Sequence, residues 1–206
     1  VSVEGIEGSG KSTLLAGLLA RLRAEGIEVE ATREPGGTAL GDRLRAAFVD
    51  LAVKPTPVAE AMLLNASRAQ LVAEVIAPAL AAGRWVLSDR FSTATLAYQG
   101  YGRRLNLEFL RGLASAAIQG VEPDLVLLID IPVDLSHRRV AARAAATGAA
   151  VDRLEREEMV FHQRVRAGYL ALAATDEKIV VLDGARPPEV VLEEACAALR
   201  ARFGPG

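Results

Sequence analysis

Apolar and polar positions alternate along the chain with two periods that take turns. Residues 1–4 form a short apolar run of strand type. Residues 11–23 then place Leu14, Leu15, Leu18, Leu19 and Leu22 at helical spacing and stop before Gly26, a natural helix terminator. Residues 28–32 predict a second strand, and 39–50 an amphipathic helix with Leu40, Leu44, Ala47 and Phe48 on one side. Pro55 and Pro57 precede a long helix over 58–82, apolar on more than one face. A third strand over 85–88 and a helix over 105–119 follow. Residues 125–131 are apolar throughout, as a parallel strand covered on both faces should be. Helices over 133–143 and 152–174 flank an Ala/Gly-rich stretch, 144–150. A last strand over 179–182 leads to a closing helix over 188–202.

Strands alternating with helices predict an α/β fold: a five-stranded parallel sheet flanked by helices on both faces, a three-layer sandwich in one domain spanning residues 1–206. Right-handed crossovers bring every strand's carboxyl end to one edge, where ligands bind. Chemistry-bearing residues should therefore sit just after strands.

Composition narrows the classes. With 206 residues, 51% hydrophobic and 24% charged, the chain is an ordinary globular one. The 24 basic and 26 acidic residues leave a net charge of −2, so no basic field favours nucleic acid or an anionic membrane. One cysteine, Cys196, and two histidines, His137 and His162, leave no disulfide framework and little for a metal cluster. No apolar run approaches the ~20 residues of a membrane span. No basic-then-apolar leader opens the sequence, so a cytoplasmic location is the expectation.

Gly5-Ile6-Glu7-Gly8-Ser9-Gly10-Lys11-Ser12, followed by Thr13, matches the phosphate-loop pattern between a predicted strand and a predicted helix. Its glycines let backbone N–H groups curl around a phosphate, and the helix start adds a positive dipole. Lys11, one of only three lysines, would bridge β- and γ-phosphates, and the Ser12 hydroxyl would ligate Mg²⁺. The Asn-Lys-x-Asp reader of guanine switches is missing. ATP chemistry on a small molecule is the expectation.

Strand two leads into Thr32-Arg33-Glu34-Pro35-Gly36-Gly37-Thr38, and strand three into Asp89-Arg90, with Thr95, Tyr98, Gln99 and Gly100 beyond. With the phosphate loop, and with the string from Asp152-Arg153 to Tyr169, these segments make the chain resemble bacterial thymidylate kinases, phosphate-loop nucleoside monophosphate kinases, over essentially its whole length. That resemblance implies ATP-dependent phosphorylation of dTMP to dTDP with Mg²⁺, and a homodimer. It implies that Arg45 and Arg90 hold the acceptor phosphate, whose planar partners suit arginine forks. It gives Glu7 an acidic position facing the acceptor, and Glu34 a bracing one. Thr95 and Arg68 fall on base-contacting positions and Tyr98 on one against the sugar, and Gln99 reads as a further base or sugar contact. Asp89, at a strand end, joins Ser12 as a magnesium position. Leu64 departs from the family, where an aromatic side chain usually stacks on thymine at that position.

The family places a catalytic arginine either in the phosphate loop or in a lid. This loop has none, so a mobile lid around 140–156 should supply it. Arg153 is the first choice, with Arg143 and Arg156 next, and Arg139 and Arg143 are expected to contact ATP. His137, His162, Cys196, Trp85 and Phe91 read as structural. Two rivals remain: a kinase for another monophosphate, and a nucleotide-binding regulator without turnover.

Overall fold

The computed structural model describes residues 1–50, 52, 54–148 and 153–204. Strands β1 (Ser2–Glu4), β2 (Val29–Arg33), β3 (Trp85–Asp89), β4 (Val126–Asp130) and β5 (Ile179–Asp183) form one sheet in the order β2-β3-β1-β4-β5. Every pairing is parallel, as predicted. Val3 of β1 is in register with Asp89 on one side and Leu127 on the other. The loop after β1 therefore opens at the middle of the carboxyl edge.

The helices are α1 (Lys11–Ala24), α2 (Ala39–Val49), α3 (Pro57–Leu71), α4 (Ala77–Ala81), α5 (Ser92–Thr95), α6 (Leu107–Ile118), α7 (Val133–Thr147), α8 (Met159–Ala173) and α9 (Pro188–Phe203). A π-helical segment, Val72–Ile76, joins α3 to α4, and another, Leu96–Gly102, continues α5. Alternate strand residues face opposite ways. Leu127 and Ile129 join Val3 and Leu87 against α1 and α9. Leu128 turns to the other face with Phe161 and Tyr169 of α8, and Val86 packs there with Leu71 and Ile118. Cys196 and Phe91 lie in these cores, as read from the sequence.

Three predicted boundaries need correction. The stretch beginning at Ala144 is helical through Thr147, because alanine is the best helix former and only Gly148, left-handed at φ 66°, stops α7. The helix predicted from 152 begins at Met159. Residues 153–156 form a turn whose Arg153 side chain is held elsewhere in the molecule, and Glu158 caps the helix in an extended conformation. The run 92–102, given no element in the sequence, is α5 plus the π segment. Of the lid expected around 140–156, residues 149–152 lie outside the described residues. Among the described residues no helix is long and apolar enough to cross a membrane.

Candidate active site

The loop after β1 curls tightly. Gly5, Gly8 and Gly10 have φ of 140°, 69° and 105°, values that favour glycine. A Cβ on Gly5 would sit 2.5 Å from the Ile129 carbonyl oxygen, and one on Gly8 2.8 Å from that of Ser136. Lys11 opens α1 and donates from Nζ to the Gly5 and Ile6 carbonyls, each at 3.1 Å. Burial, then the nearby Arg90, lowers its pKa to about 8, while Asp89 and Glu7 act the other way. Ser136 Oγ donates to the Glu7 carbonyl at 2.6 Å, and Arg139 Nη1 to the Gly184 carbonyl at 2.9 Å. A cavity of about 400 Å³ lies over this loop, lined by Gly8, Ser9, Gly10, Lys11, Ser12 and Thr13 with Arg139, Arg143 and Arg186. Backbone donors, a helix start and cations facing one space make an anion site.

Arg90 directly follows β3 with φ 71°. Its N–H donates to the Val3 carbonyl at 3.0 Å, and Ser88 Oγ donates to its carbonyl at 2.6 Å, so β1 and its own strand β3 fix it. Its guanidinium donates to Glu7 Oε1 at 2.9 Å and to the hydroxyl oxygens of Tyr98 and Tyr169, both at 3.0 Å. Tyr98 in turn donates to Glu7 Oε1 at 2.7 Å, and Tyr169 to Glu4 Oε2 at 2.8 Å. Glu4, fully buried at the end of β1, is pushed up to about 7 by that burial, against the pull of Arg90. Burial also pushes Glu7 up, but Arg90 and Lys11 outweigh it and hold the carboxyl below its usual range. The chain thus carries an ionised carboxylate and a fixed arginine fork where two adjacent strands end.

A second cavity, about 50 Å³, opens beside Arg90. It is lined by Glu34, Leu64, Arg68, Thr95, Tyr98 and Gln99, all singled out from the sequence, with Phe48 and Leu154. Arg68, 2% exposed, is fully committed: Nε donates to Glu34 Oε2 at 2.8 Å, Nη1 to Asn65 Oδ1 at 2.7 Å and Thr95 Oγ1 at 3.0 Å, and Nη2 to the Phe91 carbonyl at 3.1 Å. It braces the cavity wall through protein acceptors rather than presenting an unused donor. Since Thr95 Oγ1 accepts from Arg68, its hydroxyl proton is left to donate. Gln99 Nε2 donates to Glu60 Oε1 at 2.7 Å, which fixes its amide, and its buried Oε1 has no partner among the described residues.

Arg45 donates to the Pro35 carbonyl at 3.0 Å, across the cis Glu34–Pro35 turn. Asp89 ends β3, one strand over from the loop. Arg153 is not beside the phosphate loop. Its guanidinium pairs with Glu60 at 2.8 Å, and Nε donates to the Phe48 carbonyl at 3.1 Å, on the second cavity's side. Arg143, ion-paired with Glu155, does line the first cavity. His162, read as structural, packs against Glu7 with Nδ1 3.5 Å from Oε2, and burial lowers its pKa.

Contributors that escaped the sequence reading include Glu4, Phe48, Glu60, Ser136, Leu154, Tyr169 and Arg186. Glu4 and Arg186 carried a usable signal, since they end or follow β1 and β5. Glu60 carried none, because its partners Gln99, Arg103 and Arg153 are far away in sequence.

Comparison with known proteins points the same way as this geometry. The family model for thymidylate kinase matches residues 3–195. A thymidylate kinase of Desulfovibrio desulfuricans is 48% identical over 205 residues, covering 98% of this chain and 94% of that protein. One of Deinococcus radiodurans is 46% identical over 203 residues, covering 98% and 96%. One of a Geobacter species is 51% identical over 187 residues, covering 89% and 83%. Identity of this order holds along nearly the whole chain, and the family match runs from β1 into α9: the chain belongs to the thymidylate kinase family.

Proposed function

We propose that the chain transfers the γ-phosphoryl group of ATP to dTMP, giving ADP and dTDP. The observation that carries this reading is the pair of cavities, one over the phosphate loop and one over Thr95 and Gln99, with Lys11, Glu7 and Arg90 between them. Phosphoryl transfer is mostly positioning and charge neutralisation. The loop from Gly5 to Thr13 holds the ATP phosphates, with Arg139 bracing it through the Gly8 carbonyl. Lys11 exchanges its carbonyl partners for phosphate oxygens. Arg90, fixed by Glu7 and the two tyrosines, receives the dTMP phosphate, and Arg45 supports it from α2.

The base end is read by complementary hydrogen bonds. Gln99 Oε1 accepts from a ring N–H and the Thr95 hydroxyl donates to a ring carbonyl. That pattern suits a thymine or uracil imide and not cytosine, whose ring nitrogen accepts. Tyr98 lies along the sugar. The closeness of Arg143 to the loop and the commitment of Arg153 to Glu60 favour Arg143 as the extra cation on the ATP side. Ser12 and Asp89 offer Mg²⁺ two hard oxygen ligands, which fits an ion whose other positions are water and phosphate. When bound, the ion would neutralise β- and γ-oxygens.

The fold acts as a single domain. A homodimer is supported by apolar side chains left exposed on α3 and α6, Val58, Met62 and Phe109. A cytoplasmic location fits the substrates.

ADP production with ATP and Mg²⁺ against dTMP, dUMP, dCMP, dGMP, UMP and no acceptor tests the reading. A clear dTMP preference with negligible no-acceptor turnover is expected. ATP binding with no turnover for any acceptor would sink it.

A further inference from the structure

Phe48 is 5% exposed, yet among the described residues it belongs to none of the three apolar clusters that hold the sheet and helices together. It borders the second cavity instead, beside Leu64 and Leu154. The other aromatic ring on that wall, Tyr98, is already used: the Arg90 guanidinium lies 4.7 Å from its centroid and its hydroxyl is tied to Glu7. Phe48 also has a cation on its ring, the Arg153 guanidinium at 4.9 Å from the centroid, but that cation is held from behind by Glu60.

Glu60, 1% exposed, accepts from Gln99 and pairs with Arg153. One buried carboxylate thus sets both the amide that meets a base edge and the arginine that backs an aromatic ring. We propose that Phe48 is a specificity-determining residue of the acceptor pocket. Its ring is the flat surface on which the pyrimidine of the monophosphate lies, with Arg153 as its positioning residue. The inference rests on the proposed dTMP reading. It also gives a reason for the aliphatic Leu64: the aromatic surface reaches the cavity from α2 rather than from α3. Ring-on-ring contact adds attraction beyond burial, so losing it should weaken base binding by a few-fold to about tenfold.

The test uses the full chain and two readouts, the Kd of dTMP by calorimetry and steady-state KM for dTMP and for ATP. Phe48→Leu and Phe48→Met keep apolar volume but remove the ring. Both should raise Kd and KM for dTMP by about three- to tenfold, with KM for ATP within about twofold. Adding Leu64→Phe to Phe48→Leu returns a ring to the cavity and should recover most of the loss. Arg153→Met should shift dTMP affinity in the same direction and combine less than additively with Phe48→Leu, which a purely structural arginine would not do.

Unchanged dTMP affinity in both single variants overturns the proposal, as does an equal rise in KM for ATP. If the double variant does not fold, judged by its thermal melt, the Phe48→Met result decides alone. A wild type with no dTMP-dependent ADP production instead defeats the functional reading. An active wild type with an indifferent Phe48→Leu variant defeats only this inference.

Discussion

Lys11 was legible from the motif alone, because its partners are its own loop and the motif is contiguous. Its partly buried ammonium, with a pKa lowered to about 8, has a measurable consequence. A polyanion favours the charged form and draws the pKa back up, so ATP binding should take up a proton between about pH 8 and 10. ATP affinity should fall as pH rises through about 8. Calorimetry in two buffers of different ionisation enthalpy near pH 8.5 reads the uptake directly; no uptake would count against Lys11 meeting the phosphates. For stability the sign is that of a depressed lysine: its contribution is present above the ordinary lysine range and lost as pH falls through about 8. Arg90 was equally legible as a strand-end residue, but not its fixation by Tyr98, Tyr169 and Glu7, which come from three other elements. Replacing it with alanine should lower kcat by about 10²- to 10³-fold, the scale of losing a preorganised donor. Single-turnover kinetics with saturating ATP checks this, and a drop below tenfold would remove Arg90 from the reaction centre. For Arg153, sequence spacing gives a charge but not the side of the molecule to which it turns, where Glu60 and the Phe48 carbonyl hold it.

Periodicity located all five strands and placed the long helices at the scale of elements, because burying one face leaves a repeat that composition cannot hide. It failed where tertiary contacts override local pattern. The segment Leu96–Gly102 winds as π helix against α8, and the two backbones approach closely at glycines. A Cβ on Gly168 would lie 2.5 Å from the Tyr101 ring, and one on Gly102 2.7 Å from that of Phe161. Gly168→Ala therefore overpacks this contact and should cost about 1–3 kcal/mol. Urea unfolding measures it; a stabilising effect, as expected of alanine in an unhindered helix, would refute the close approach. Tyr169, the next residue, positions Arg90, so the same substitution should lower activity as well.

For the whole molecule, strand order does what no single motif could. The order β2-β3-β1-β4-β5 sets the phosphate loop at the centre and the loops after β2 and β3 to one side; alternation and handedness foretold the shared carboxyl edge but not this order. Assembly was legible only as a helix apolar on two faces. Val58 and Met62 on α3 and Phe109 on α6 stay exposed at 41%, 51% and 41%. Light scattering should find a dimer, and Met62→Glu should shift it toward monomer; a monomeric wild type would contradict the reading. The central strand has a further effect on motion. β1 is only three residues long, yet it is paired on both sides and wholly buried. Its amides should be among the slowest in the protein to exchange with deuterium. The reacting groups would then hang from the part of the chain that opens last, so local breathing can admit and release nucleotides without disturbing the frame that aligns them.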